Sequence, residues 1–156
     1  MKILAIDPGY DRLGVAVMET IDQQEKLLYS ACLTTDKKTA VPERLWELGK
    51  QLEDLLTEHQ PDQVALETLF FNKNQKTALA VAEARGMIVY LAKKHGCVVK
   101  QFGPSEIKVA VTGYGSSDKR AVTDMLRRLV KNLPDKALDD EYDAIAVAVT
   151  ALAHHR

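Results

Sequence analysis

Four carboxylates stand where an acid is both costly and useful. Asp7 closes the apolar run that begins at Lys2, and Glu67 closes Val64-Ala65-Leu66-Glu67. Asp140 and Asp143 are spaced i, i+3 at the head of a helical segment, so both project from one face. Behind them comes Ala144-Ile145-Ala146-Val147-Ala148-Val149, apolar all round and therefore buried, which leaves the acid at its mouth only partly exposed. Taken singly, each has an ordinary explanation. Asp7 before Pro8-Gly9 suits a turn, Asp139 or Asp140 a helix cap, and Glu67 the partner of a lysine. Taken together they fall at strand ends and a helix head, where the ligand sites of α/β sheets lie. Carboxylates crowded there repel one another, and hard divalent cations with oxygen ligands supply the missing counter-charge. Two Mg²⁺ or Mn²⁺ ions about 3.5–4 Å apart activate a water and stabilise the leaving oxygen in phosphodiester cleavage. Other chemistries lack their residues. Cys32 and Cys97 lie far apart without metal spacing and are expected as reduced thiols. No Ser-His-Asp pattern is evident, and His154 and His155 are expected to face solvent.

The elements that must hold these acids follow from periodicity and from Pro and Gly punctuation. Lys2 to Asp7, Leu13 to Met18 and Leu27 to Leu33 read as strands of an antiparallel meander. Pro42 to His59 carries a helical stripe of Leu45, Leu48, Leu52, Leu55 and Leu56, stopped by Pro61. A buried strand at Val64 to Glu67, a helix from Gln75 to His95 and a strand from Cys97 to Phe102 come next. Helices over Pro104 to Val111, Asp118 to Val130 and Asp140 to Ala153 complete the chain. A meander followed by βαβα units predicts one α/β domain over residues 1–156, a mixed sheet with helices on its faces. A length of 156 residues with 46% apolar and 28% charged residues fits one globular core. No apolar run reaches the ~18 residues of a membrane span. The start of the chain has no basic region or cleavage site, so a cytoplasmic protein without a membrane partner is expected.

The net charge of −1 conceals a segregation. The balance is −6 over residues 1–71, +8 over 72–131 and −3 over 132–156. Such a pattern can set a basic face beside an acidic pocket, although a solvated helical surface would also account for it.

Ile6-Asp7-Pro8-Gly9, Leu66-Glu67 with Phe70, Ala84-Arg85-Gly86, Lys108, Gly113-Tyr114-Gly115-Ser116 with Lys119, and Asp140-Glu141-Tyr142-Asp143-Ala144 occur in this order along the whole chain. The set closely resembles the bacterial RuvC Holliday junction resolvases. The resemblance implies a ribonuclease H-like fold with a five-stranded mixed sheet and helices on both faces. It implies a homodimer that resolves four-way DNA junctions by paired symmetric nicks, with two Mg²⁺ per active site and Mn²⁺ able to substitute. The family's acids carry over onto Asp7, Glu67, Asp140 and Asp143, with Asp139 adjacent to the third. Its catalytic lysines carry over onto Lys108 and Lys119, and its junction-contacting aromatic onto Phe70. The DNA-contacting set expected is Phe70, Lys73, Lys76, Arg85, Lys108, Ser116 and Lys119. Cooperation with the RuvA–RuvB branch-migration machinery is implied by the resemblance alone. The pI near 6.4 departs from the many basic relatives.

The residues also carry readings of their own. Lys119 opens a helix after a Gly-rich loop, where amides and a point charge favour phosphate, and Ser116 or Ser117 is a candidate cap. The loop lacks the Gly before Lys that a Walker A loop needs. Phe70 lies in a polar loop beside Glu67, where a ring can stack on an unpaired base for roughly 1–3 kcal/mol, while Phe71 is expected in the core. The Gln75–His95 helix is too apolar for one solvated side, which suggests a second copy packed against it, with Val89 and then Met87 as the positions chosen for that contact. The nearest alternative is a YqgF-like nuclease of the same fold acting on another nucleic acid. An actin-like ATPase module would need a second domain, and a non-catalytic DNA-binding protein would need no acidic cluster.

Overall fold

The computed structural model describes residues 1–22, 24–68 and 75–155, with side chains of the last stretch from residue 77 onward. Strands β1 (Lys2–Asp7), β2 (Arg12–Ile21) and β3 (Gln24–Thr34) lead into helix α1 (Val41–His59) and strand β4 (Gln63–Glu67). Helix α2 (Gln75–Lys94), strand β5 (Val98–Phe102) and helices α3 (Pro104–Thr112), α4 (Lys119–Leu129) and α5 (Asp139–Ala153) follow. The order matches the one predicted from periodicity. β2 and β3 run longer than their apolar cores because backbone pairing continues out to Ile21↔Gln24, where no burial pattern is needed.

The five strands lie in the order β3-β2-β1-β4-β5. β1–β2 and β2–β3 are antiparallel, whereas β1–β4 and β4–β5 are parallel, which makes the expected mixed sheet. β1 is central and apolar on both faces. Ile3 and Ala5 pack with α3, α4 and α5, while Leu4 and Ile6 pack with α1 and α2. Helices therefore cover both faces. α5 is the buried one: Ala144 through Leu152 are all 5% exposed or less, between the sheet on one side and α3 and α4 on the other. Each large apolar side chain so buried contributes about 1.5–3 kcal/mol.

Helix boundaries follow local chemistry. Pro42 sits in the first turn of α1, which ends at Gln60 in the left-handed region just before Pro61. α2 ends at Lys94, and Gly96, with φ +76°, turns the chain away from it. Two cap expectations are corrected. Asp118 caps α4, its side chain accepting the Ala121 N–H at 2.8 Å, because Ser117 is engaged with Thr112 instead. Leu138 precedes α5 without a side-chain cap, so neither Asp139 nor Asp140 is spent on capping.

The reading of α2 is also refined. Ala84, Ile88, Leu91 and Ala92 face the core, and Val89 and Met87 pack against the same cluster. The exposed stripe is Leu79, Ala82, Gly86 and Tyr90, with Leu79 70% and Tyr90 66% accessible. Val89 and Met87 are thus poor choices for an outward contact, since their helical angle turns them toward α1 and the sheet. His154 and His155 are exposed, as expected, and each also has a polar partner: His154 pairs with Glu106 at 3.0 Å and His155 with Gln63 at 2.8 Å. Among the described residues no helix is long and apolar enough to cross a membrane.

Candidate active site

Parallel neighbours β1 and β4 end side by side, so Asp7 and Glu67 emerge at one rim of the sheet. Asp7 lies opposite Gly14 across the β1–β2 ladder. The first turn of α5 rests directly on that glycine: a Cβ there would lie 1.8 Å from the Asp140 carbonyl oxygen. Only a residue without a side chain allows this approach, which brings Asp140 and Asp143 to the acids on the strands. Ser30 secures the same helix end by donating to Glu141 Oε1 at 2.6 Å.

The electrostatics show how crowded the rim is. The Asp7 carboxyl is pushed up to about 7, first by burial and then by the charges of Asp143, Glu67 and Asp140, against a lowering by Lys119. Glu67 is raised as well, by burial and by Asp143, with Lys119 and Lys108 acting in the opposite sense. Lys119 donates to Asp143 Oδ2 at 2.9 Å. Partial burial works against its ammonium, but the hydrogen bond to Asp143 and the charges of Asp143, Asp139 and Asp7 outweigh it and raise its pKa. Asp140 is paired with Arg12 at 3.1 Å. Asp139 is 79% exposed and 3.7 Å from Lys119, whereas Asp140 is 23% exposed and acts on Asp7. Of the two adjacent acids, Asp140 belongs to the cluster.

Two cavities adjoin the acids. One of about 120 Å³ is lined by Glu67, Lys108, Lys119 and Asp143 with apolar Pro104, Ile107, Val122 and Ala146. A more open one of about 380 Å³ runs along α4 past Lys119, Arg120, Arg127 and Asp143. The fold thus gathers Asp7, Glu67, Asp140, Asp143, Lys108 and Lys119 from five separate elements. Ser116 is exposed on the turn before Lys119. Arg85 is half-buried on α2, across the sheet from α3–α5, and joins none of these contacts. Phe70, Phe71 and Lys73 lie outside the described residues, as does the Lys76 side chain.

Two arginines escaped the sequence reading. Arg12 reaches Asp140 across 128 positions of chain, and nothing local signals that pairing. Arg44 is 5% exposed and bonds Asp11 and Thr35, with its guanidinium 5.2 Å from the Tyr10 ring centre. It thereby ties the β1–β2 turn that follows Asp7 to the head of α1. The leucine stripe of α1 carried the helix assignment, and Arg44 passed as one of its polar positions.

Among the described residues no three His, Cys, Asp or Glu side chains stand in a closed metal-binding arrangement; Arg12 and Lys119 pair with two of the acids. The donor set nevertheless fits hard divalent cations. All four acids offer oxygen, and the Asp7 carboxyl is raised to about 7 by burial and then by the charges of Asp143, Glu67 and Asp140, a repulsion that bound cations would relieve.

A mixed sheet of this order, carrying acids at the ends of β1 and β4 and on a helix laid across them, defines a ribonuclease H-like nuclease fold. The family model for crossover junction endodeoxyribonuclease RuvC matches residues 3–151, and the chain belongs to this family. It is 38% identical to the crossover junction endodeoxyribonuclease RuvC of Finegoldia magna and 40% identical to that of Alkaliphilus metalliredigens, in each case over 96% of this chain and 91% of the relative. Thermus thermophilus RuvC solved in complex with a Holliday junction superposes with a TM-score of 0.92 at 27% identity, over 100% of this chain and 95% of that one. The yeast mitochondrial resolvase Ydc2 shares the fold, with a TM-score of 0.69 at 13% identity, over 98% of this chain and 80% of that one.

Proposed function

We propose that this chain is a structure-selective endodeoxyribonuclease that resolves four-way DNA junctions by paired symmetric nicks in recombination and repair. The observation that carries the reading is the convergence of Asp7, Glu67, Asp140 and Asp143 at one rim, in a chain that matches the RuvC family from residue 3 to 151. The four carboxylates hold two divalent cations, Mg²⁺ or in its place Mn²⁺. When bound, these ions supply Lewis-acid stabilisation of the leaving oxygen and a water activated for attack. The chain's own work is positional. Asp7 and Glu67 hold their places through the parallel ladder, and Asp140 and Asp143 through the seat of α5 on Gly14. Lys119 and Lys108 flank the cluster with positive charge where a scissile phosphate would enter. Phe70, Lys73, Lys76, Arg85 and Ser116 complete the expected DNA contacts.

A four-way junction has approximate two-fold symmetry, and its resolution needs two nicks in opposed strands. Two copies of the chain related by a two-fold axis meet that need, and the exposed stripe Leu79, Ala82, Gly86 and Tyr90 is the face assigned to the contact. The enzyme works in the bacterial cytoplasm beside the RuvA–RuvB branch-migration complex.

The test is incubation of the protein with a synthetic four-way junction and a linear duplex of matched sequence, with and without Mg²⁺. Paired nicks in the junction alone, dependent on the metal, are expected. Equal cutting of the duplex, or cutting in EDTA, would overturn the proposal.

A further inference from the structure

The turn between α3 and α4 joins the two helices that carry Lys108 and Lys119, and it is tightly built. Gly113 takes a left-handed φ of +83°, and a methyl at Gly115 would sit 2.9 Å from Ser105 Oγ. Between these glycines stands Tyr114, 74% exposed. Thr112 organises the turn. Its hydroxyl donates to the Lys108 carbonyl at 2.7 Å and accepts the Tyr114 N–H at 3.1 Å. The same hydroxyl lies 3.1 Å from the Tyr114 carbonyl and shares a 2.7 Å hydrogen bond with Ser117 Oγ, in which either oxygen can donate. The Ser117 N–H closes the loop on the Tyr114 carbonyl at 3.3 Å.

The result is a large ring on a braced backbone, with no side chain on either neighbour to cover it. Because the backbone of the turn is already ordered, a flat partner that docks on this exposed ring has little backbone entropy to lose. It stands five residues before Lys119 and six after Lys108, the two cations beside the acidic cluster. Resting on the functional reading above, we propose that Tyr114 is a base-stacking site, taking the face of an unstacked nucleobase in the DNA strand that passes the Lys108–Lys119 cavity. Bases inside a duplex have no free face, so the contact favours a branch point over linear DNA.

The test compares wild type, Tyr114→Ala and Tyr114→Phe in binding a synthetic four-way junction in EDTA across a salt series. Melting temperatures confirm folding, which an exposed ring should not affect. Loss of the ring is expected to weaken junction binding about 5- to 150-fold. The log–log salt slope should stay unchanged because no charge is removed. Tyr114→Phe is expected to bind as the wild type does. In the Trp46→Phe/Tyr114→Trp protein, which carries its single indole at 114, the junction should quench fluorescence and the matched duplex should not. Wild-type binding by Tyr114→Ala overturns the proposal, and so does a Phe variant as weak as the Ala variant, which would assign the effect to the hydroxyl. Nicking by the wild type in Mg²⁺ is run alongside. If it nicks while Tyr114→Ala binds normally, only the stacking site falls; if it neither binds nor nicks, the functional reading falls and takes the stacking site with it.

Discussion

The carbonyl oxygen of Asp140 occupies the space beside Gly14 that any side chain would need, 1.8 Å from a Cβ built there. The acidic cluster therefore depends on a strand residue that carries no functional group. Gly14→Ala should push the head of α5 off β2 and cost about 1–3 kcal/mol, as overpacking does. Nicking should fall much further than this loss of stability explains, because Asp140 and Asp143 move away from Asp7. Thermal melting and junction cleavage on the same preparation check this. A variant that keeps wild-type activity would show that α5 is seated by other contacts.

Asp7→Asn should lower junction cleavage by at least ~10³-fold, the scale of losing a metal's charge stabilisation at the transition state. Its effect on the metal-free fold has the opposite sign. The folded carboxyl titrates near 7 rather than 3.8, so the native state holds its proton more tightly than the unfolded chain does. That stabilisation is fully present below about pH 4, is lost as pH rises to about 7, and stays lost above. The neutral Asn escapes the loss. In EDTA the variant should melt above the wild type at pH 8, by a margin on the order of 4 kcal/mol, and the margin should close toward pH 4. A margin independent of pH would contradict the raised Asp7.

Lys119→Ala removes one cation that faces the cluster. The log–log salt slope of junction binding should fall by about 0.9, one phosphate contact. Cleavage at saturating enzyme should fall as well, because the charge stands beside Asp143 rather than on a distant surface. A slope and a rate both unchanged would leave Lys119 as a solvated surface lysine.

The exposed stripe of α2 predicts where a two-fold partner sits. Leu79→Glu or Tyr90→Glu should leave a folded monomer, since both side chains are largely in solvent in the single chain. Sedimentation should show the change in mass, and paired nicking should be lost with it. Val89→Glu would instead bury a charge against the α1–α2 core and unfold the protein, so it cannot serve this test. A strictly monomeric wild type that still makes paired nicks would overturn the dimer.

Where the four acids would lie was largely legible in the sequence. Asp7 and Glu67 could be read because each ends an apolar run, and such runs end at a sheet rim. Asp140 and Asp143 could be read because i, i+3 spacing is a property of the helix itself. The choice between Asp139 and Asp140 could not be read, since one residue is only a 100° turn of the helix, and its direction depends on how α5 sits on β2. Arg12 looked like any loop-edge arginine, and Arg44 like a polar position on an amphipathic helix.

The sequence by itself determined the order of elements, their ends, and the set of acids available, because periodicity, proline and glycine act over a few residues of chain. Tertiary structure alone decided which residues meet. The Arg12–Asp140 pair, the Arg44–Asp11 clamp and the contact of Gly14 with α5 each join positions 33 to 128 residues apart. Their energies exist only once the sheet has brought those positions together. The raised pKa of Asp7 is of the same kind: it belongs to no residue alone, but to the burial that the completed fold imposes and to the three other carboxylates it brings near.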